Sequence, residues 1–182
     1  MIETRRLYIR SFRETDWQAV HAYSTDPEVV RYIPAKLPSK EQTRAVICSW
    51  MNGQADDPPH CDFAVTVRPD DFVIGWCCLQ ISSSDTRLGE LMYVFNRQFW
   101  KQGYASEATQ SIVNYGFSEL RLHRIFATCR PENVGSWKIL EKLGMQREGL
   151  LRENVWIRGS WYNSYLYAIL DYEWQARIKI SS

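Results

Sequence analysis

Leu7 and Ile9 alternate with Tyr8 and Arg10 in the opening RRLYIRSF, the period of two that marks a strand. TDWQAVHAYS follows, with Thr15 or Asp16 placed to cap a helix. Pro27, Pro34 and Pro38 interrupt the pattern between Asp26 and Ser39, where short turns and loop are expected. SKEQTRAVICSWMN reads as a second helix, with Ser39 and Gln42 at capping-box spacing. CDFAVTV, FVIGWCCLQIS and LGELMYVF are rich in Val, Ile, Phe and Tyr. Turn residues Arg68-Pro69-Asp70-Asp71 and Ser82-Ser83-Ser84-Asp85 separate them, which predicts an antiparallel meander. YASEATQSIVNYGFSEL then reads as helix, HRIFATC as strand, and VGSWKILEKLG as a helix stopped at Gly144. LLRENVWIRGSWYNSYLYAILDYEW predicts two alternating strands around a type II′ hairpin at Gly159-Ser160. The strand, helix, strand unit from Glu90 to Cys129 predicts a parallel crossover. A mixed α/β (α+β) domain over 1–182 with a largely antiparallel sheet follows.

Composition narrows the function classes. The 182 residues suit one domain, and 45% hydrophobic against 24% charged residues is a globular balance that argues against disorder. A net charge of +1 gives no footprint for nucleic acid, which needs clustered Lys and Arg. Cys48, Cys61, Cys77, Cys78 and Cys129 are odd in number and form no C-x-x-C pair, so buried reduced thiols are expected rather than disulfides or zinc. The three histidines form no metal-binding pattern, and no metal is expected. No apolar run has membrane-spanning length and MIETRRLYIRSF lacks a signal-peptide core, so the expectation is a cytoplasmic protein without a membrane partner.

The chemistry concentrates in two stretches. In FWKQGYASEA a strand gives way to a helix through Gly103, Ala105 and Ser106. One reading is punctuation, with Gly relaxing the backbone and Ser106 starting the helix. The other is a phosphate site, in which Lys101, Gln102, Gly103, Tyr104 and Ala105 offer backbone amides to an anion at the positive end of a helix. The second stretch, RPENVGSWKILEKLGM, places Asn133 and Ser136 three apart at a helix start, able to face one cleft while Ile139, Leu140 and Leu143 face the core.

With GELMYVFNRQFWKQGYASEA, these stretches resemble the GNAT superfamily of acyl-CoA-dependent N-acetyltransferases, and within it the ribosomal-protein alanine acetyltransferase branch (the RimJ/RimL type). ETRRLYIRSFRETDW and REGLLRENVWIRGSWYNSYLYAILDYEW fit the same branch, so the resemblance spans nearly the whole chain. It implies a seven-stranded, mostly antiparallel sheet splayed between strands four and five, about four flanking helices, and coenzyme A lying in the split. Trp100 and Ala105 fill the first and last places of the phosphate motif, and Ser106 belongs with that cofactor-binding loop. Met92 stands where the branch often has Gly, and Ser164 where an acidic residue is frequent.

The resemblance further implies that Tyr93 and Phe95 bind the pantetheine arm through their main chain, as an added strand would. The Tyr93 N–H is expected to stabilise the oxyanion, Asn133 to hold pantetheine, and Ser136 to donate to the departing sulfur. An amine acceptor must lose a proton, and Glu90 is the expected base, with Glu153 or water as rivals. Glu107 and Glu141 are expected to be solvated. Acetyl-CoA is thus the expected cosubstrate, and the acceptor a primary amine, first a protein N-terminus and second a small amine such as a polyamine or antibiotic. A mixed-charge segment around Arg31 and Lys36 favours the former. A homodimer is compatible with this reading, and a non-catalytic acyl-CoA sensor is the alternative class.

Overall fold

The computed structural model describes residues 1–34, 38–52, 60–83 and 86–181; Lys36, Ser84 and Asp85 lie outside them. Strands β1 (Ile2–Glu3) and β2 (Leu7–Arg10) precede helices α1 (Trp17–Ser24) and α2 (Lys40–Asn52). The meander follows as β3 (His60–Val67), β4 (Phe72–Ser83) and β5 (Leu88–Phe95). Then come α3 (Tyr104–Ser118), β6 (Arg124–Cys129), α4 (Val134–Lys142), β7 (Gln146–Ile157), β8 (Ser160–Leu170) and α5 (Asp171–Ser181). The eight strands form one sheet in the order β1-β2-β3-β4-β5-β6-β8-β7. The expected seven strands are present, and β1 adds a two-residue strand at the edge.

The sheet is covered on both faces, which is why β3 is buried at successive positions. On one face Leu7, Val65, Leu79, Leu91 and Ile125 pack with Ile112 and Val113 of α3 and Leu140 of α4. On the other, Ala64 and Val73 pack with Val20 and Tyr23 of α1 and Ile47 of α2. Alternation therefore divides β5: Leu91, Tyr93 and Phe95 belong to the α3–α4 face, and Val94 to the α1–α2 face. By the same period Glu90 and Met92 share the face of Val94.

Every ladder is antiparallel except β5–β6, the expected crossover, which pairs Leu88 with Arg124, Gly89 with Ile125 and Glu90 with Phe126 and then stops. Gly89 explains the closed end. A Cβ there would lie 2.8 Å from Leu122 Cδ1, so the bare glycine lets Leu122, just before β6, pack directly on β5. Beyond Glu90 the strands part, opening a wedge in the middle of the sheet.

Several local expectations are corrected. The hairpin turns at Arg158-Gly159, with φ of 48° and 87°, and Ile157 faces Ser160. Two positive φ values make it type I′ rather than II′, with the glycine at the second central position. The last strand ends at Leu170 rather than running to Trp174: the Glu173 carboxylate accepts from Leu170 N–H at 2.9 Å and starts α5, a fifth helix, which buries Trp174 beside Phe117. Asp16 makes no side-chain cap for α1. Its carboxylate instead grips the buried Arg10 guanidinium at 2.8 and 3.1 Å and accepts from the Arg13 N–H at 2.7 Å; with both charges out of water, removing either partner would strand the other. Ser39 and Gln42 do form the reciprocal capping box. Four cysteines are buried as expected, and Cys48 is exposed.

Candidate active site

The wedge beside β5 leaves main-chain groups facing an open edge. Asn96 N–H donates back to Ile74 of β4 at 2.8 Å, so by strand alternation the N–H and C=O of Tyr93 and Phe95 point the other way, into the wedge. The Phe95 carbonyl accepts from the Trp100 indole N–H at 2.8 Å, which folds the chain after β5 back on itself and starts the following loop.

Glu90 occupies the apex, the last residue paired with β6. Thr128, on the same face of β6, donates to its Oε1 at 3.4 Å. Burial raises the Glu90 carboxyl above the usual carboxylate range, and the Thr128 hydrogen bond offsets this in part. A carboxyl so placed is a stronger base than one in water, which suits proton abstraction near neutrality.

The opposite face carries hydroxyls. The Tyr93 side chain reaches α4, where its O–H donates to the Ser136 carbonyl at 3.0 Å and lies 3.0 Å from Ser136 Oγ. Ser136 also hydrogen-bonds the Cys129 thiol, and burial pushes that thiol up to about 11. Burial raises the Tyr93 phenol too, with the Ser136 contact opposing the shift. Tyr93 and Ser136 are therefore neutral, donor-competent groups on the side of the wedge facing α4. Asn133 caps that helix: its Oδ1 accepts from Ser136 N–H at 3.3 Å.

At the start of α3 the capping residue is Gly103, not Ser106, which is the third residue of the helix. Lys101 and Gly103 have φ of 60° and 83°, so the loop passes twice through the left-handed region before its amides line up. Tyr104, Ala105 and Ser106 contribute first-turn N–H groups that have no acceptor within the helix. Arg6 secures this loop. Its Nη1 donates to Gln102 C=O at 2.9 Å, its Nε to Glu107 at 2.7 Å, and its guanidinium lies 4.4 Å from the centre of the Tyr104 ring. A Cβ on Gly103 would meet Arg6 Nη2 at 3.2 Å. Beside the loop runs a groove of about 580 Å³ lined by Arg6, Ser106, Gln110, Lys142 and Arg177 among others. Arg6 is paired with Glu107, which also lines the groove; Lys142 and Arg177, the first-turn amides and a backbone bare of Cβ at its closest point fit a bound diphosphate.

The structure thus gathers Glu90, Tyr93, Phe95, Asn133 and Ser136 around one wedge, with Trp100 to Ser106 at its outer end. Glu153 is elsewhere, exposed at a bulge of the outermost strand with φ of 48°. Ser164 is buried on β8 opposite Leu151. The expectation of solvated carboxylates fails for Glu107, which is half-buried and accepts from Thr4 Oγ1 and from Arg6, and holds for Glu141, which is exposed while also accepting from the Tyr167 hydroxyl. Sequence reasoning missed Arg6 and Thr128 and the part played by the Tyr93 side chain. Alternation along HRIFATC would have placed Thr128 beside its strand neighbour, whereas nothing local ties Arg6 to a loop some hundred residues on.

The family model for the acetyltransferase (GNAT) domain matches residues 6–146. The chain is 39% identical over 173 residues to the uncharacterized N-acetyltransferase YnaD of Bacillus subtilis, covering 95% of this chain and 98% of that one. The crystal structure of a GNAT-family acetyltransferase from Bacillus anthracis superposes with a TM-score of 0.86 at 37% identity, covering 94% and 99% of the two chains. At 20% identity the fold alone is shared with two enzymes of different acceptors. The ribosomal-protein-S5-alanine acetyltransferase of Vibrio fischeri gives a TM-score of 0.83 over 95% and 97% of the chains. The spermidine N-acetyltransferase of Vibrio cholerae, solved with CoA and spermine, gives 0.82 over 94% and 99%.

Proposed function

The chain belongs to the GNAT acetyltransferase family, and from that premise we propose that it acetylates the α-amine of a protein or peptide terminus, the acceptor of the ribosomal-protein alanine branch it resembles. Acetyl-coenzyme A, when bound, supplies the activated acyl group. The open edge of Tyr93 and Phe95 holds the amides of its pantetheine arm, and Lys101 to Ser106 hold its diphosphate through the backbone. Glu90 takes the proton of the incoming ammonium at its carboxylate, directly or through water. Tyr93 and Ser136 form a hydroxyl pair on the opposite face, so that proton acceptor and proton donor flank the same wedge from its two sides. The Tyr93 N–H, directed into the wedge, is the main-chain donor for developing negative charge.

The acceptor class is carried by one observation. On the Glu90 face, the chain around the wider end of the wedge presents Arg31, Arg130 and Arg158 against Glu28 and Glu132. Three guanidinium groups so placed disfavour close approach of a polycation and admit a terminal amine on a neutral or acidic chain. The test is thiol release from acetyl-CoA with three acceptor sets: peptides with a free α-amine, the same peptides blocked at that amine, and spermidine. Turnover confined to the free α-amines is expected. Faster turnover of spermidine overturns the acceptor reading, and coenzyme binding with no thiol release from any acceptor makes the protein a sensor.

A further inference from the structure

Arg130 follows directly on β6, two residues after Thr128 and so about 7 Å further along an extended chain. Strand alternation keeps it on the face of Thr128 and Glu90. It is an unusual arginine. Only 8% of it is exposed, and its Nε has no hydrogen-bond partner among the described residues. Its guanidinium lies 3.6 Å from the centre of the Tyr162 ring, with Tyr32 at 6.0 Å. Its Nη2 pairs with Glu132 at 3.0 Å, and Tyr32 O–H donates to the Glu132 carbonyl at 3.3 Å.

These contacts hold the guanidinium plane in place without using all of its donors. A guanidinium carries five N–H groups in a fixed fork and cannot lose its charge. Stacking against tyrosine rings and pairing with a single carboxylate leaves the Nε–H buried and unserved, an arrangement that folding alone penalises. A planar anion is the group that matches such an edge. Two further guanidinium groups lie nearby: Arg158 donates to the Val30 carbonyl, and Arg31 lies 3.7 Å from Glu28.

We propose that Arg130 is a specificity-determining residue that binds a carboxylate of the acceptor, so that the substrate is an amine carrying a carboxylate within reach of Glu90. The inference rests on the acetyltransferase reading above and deepens it. Two sources supply the same chemistry: the α-carboxylate of a free amino acid, or an acidic side chain close to a peptide N-terminus.

Matched pairs decide between them and test the idea. One pair is a free amino acid and its amide; the other is a peptide with Asp or Glu at its second position and the same peptide with Asn or Gln. Each is assayed for kcat and KM with acetyl-CoA, and titrated calorimetrically onto the protein. For wild type the carboxylate member of one pair is expected to bind about tenfold or more tightly, the gain of a charge-assisted hydrogen bond, with the difference in KM rather than kcat. Arg130→Gln abolishes that preference while the amide member keeps its KM within a few-fold, and Arg130→Lys restores part of it. An Arg130 that serves packing alone lowers the melting temperature when replaced and leaves the carboxylate-to-amide ratio near one in wild type. That equal ratio, in both pairs and in both turnover and binding, overturns the proposal, and it does so even where the Gln variant fails to fold. Thiol release that favours neither member leaves the acetyltransferase reading standing; failure of every acceptor to release thiol, with the carboxylate still bound tenfold more tightly, fells that reading and supports the anion site.

Discussion

Replacing Glu90 with Gln is the sharpest perturbation of the proposed chemistry, because it changes charge and leaves shape. Gln keeps an oxygen for the Thr128 hydroxyl, which reaches the Glu90 carboxylate at 3.4 Å. Losing a positioned general base costs about 100- to 10,000-fold in rate, or about 2.7–5.4 kcal/mol of barrier. Thiol release from acetyl-CoA under saturating acceptor measures it, and calorimetry with coenzyme A is expected to give an unchanged affinity. The pH profile supplies a second readout. Burial raises the Glu90 carboxyl, so the acidic limb of wild-type kcat/KM is expected above the ordinary carboxylate range, and E90Q removes that limb. The stability sign is opposite to that of a structural ion pair. A carboxyl raised in the fold is penalised when ionised, so above its folded pKa the charge destabilises, and E90Q leaves the melting temperature at pH 8 equal or higher. A variant with wild-type rate and an unaltered acidic limb refutes the base assignment; a variant that melts well below wild type shows that Glu90 is holding the fold instead.

Tyr93→Phe and Ser136→Ala are each expected to lower kcat by about 100-fold with coenzyme affinity retained, and the double variant to be no slower than either single one, since two hydroxyls acting as one donor are not additive. Independent, multiplying losses count against a shared role. Gly103→Val forces a β-branched side chain into φ of 83° beside Arg6 and removes backbone access, so coenzyme A binding is expected to weaken by about tenfold or more at a strain of roughly 1–3 kcal/mol; equal calorimetric affinity in a folded variant removes the phosphate site. Glu107 is a pH prediction with the other sign. Partial burial works to raise its carboxyl, but the hydrogen bonds of Thr4 and Arg6 outweigh it and hold it below the usual range. Its stabilising contribution is therefore present above the unfolded carboxyl pKa and lost as pH falls through the lower folded value. Urea melts of wild type and Glu107→Gln are expected to differ at pH 7 and to converge as pH falls through the lowered folded value.

Much of this molecule is local, and local features are legible in a string of residues. Alternation placed β2, enrichment in β-branched and aromatic residues between turn signals placed β3 to β5, the Ser39–Gln42 box opened α2 where spacing put it, and the strand, turn, helix order around Gly103 is plain in the residues. Errors arose where two local signals compete. Gly159 next to Ser160 reads as one turn type, yet the register of β7 on β8 puts Arg158 in the turn; an acidic residue before a helix reads as a cap, yet Asp16 pairs with Arg10. What the chain's own order determined was most of the elements, short of β1 and α5, and the positions of Glu90, Tyr93 and Ser136 along them. Only the tertiary structure decided that β5 and β6 part after Glu90, that Tyr93 and Ser136 meet across 43 residues, and that Arg130 stacks on Tyr162 with a donor to spare. The reason is physical: periodicity reports which face a side chain takes within its own element, whereas where two strands separate, and what is buried between them, depends on packing summed over every element at once.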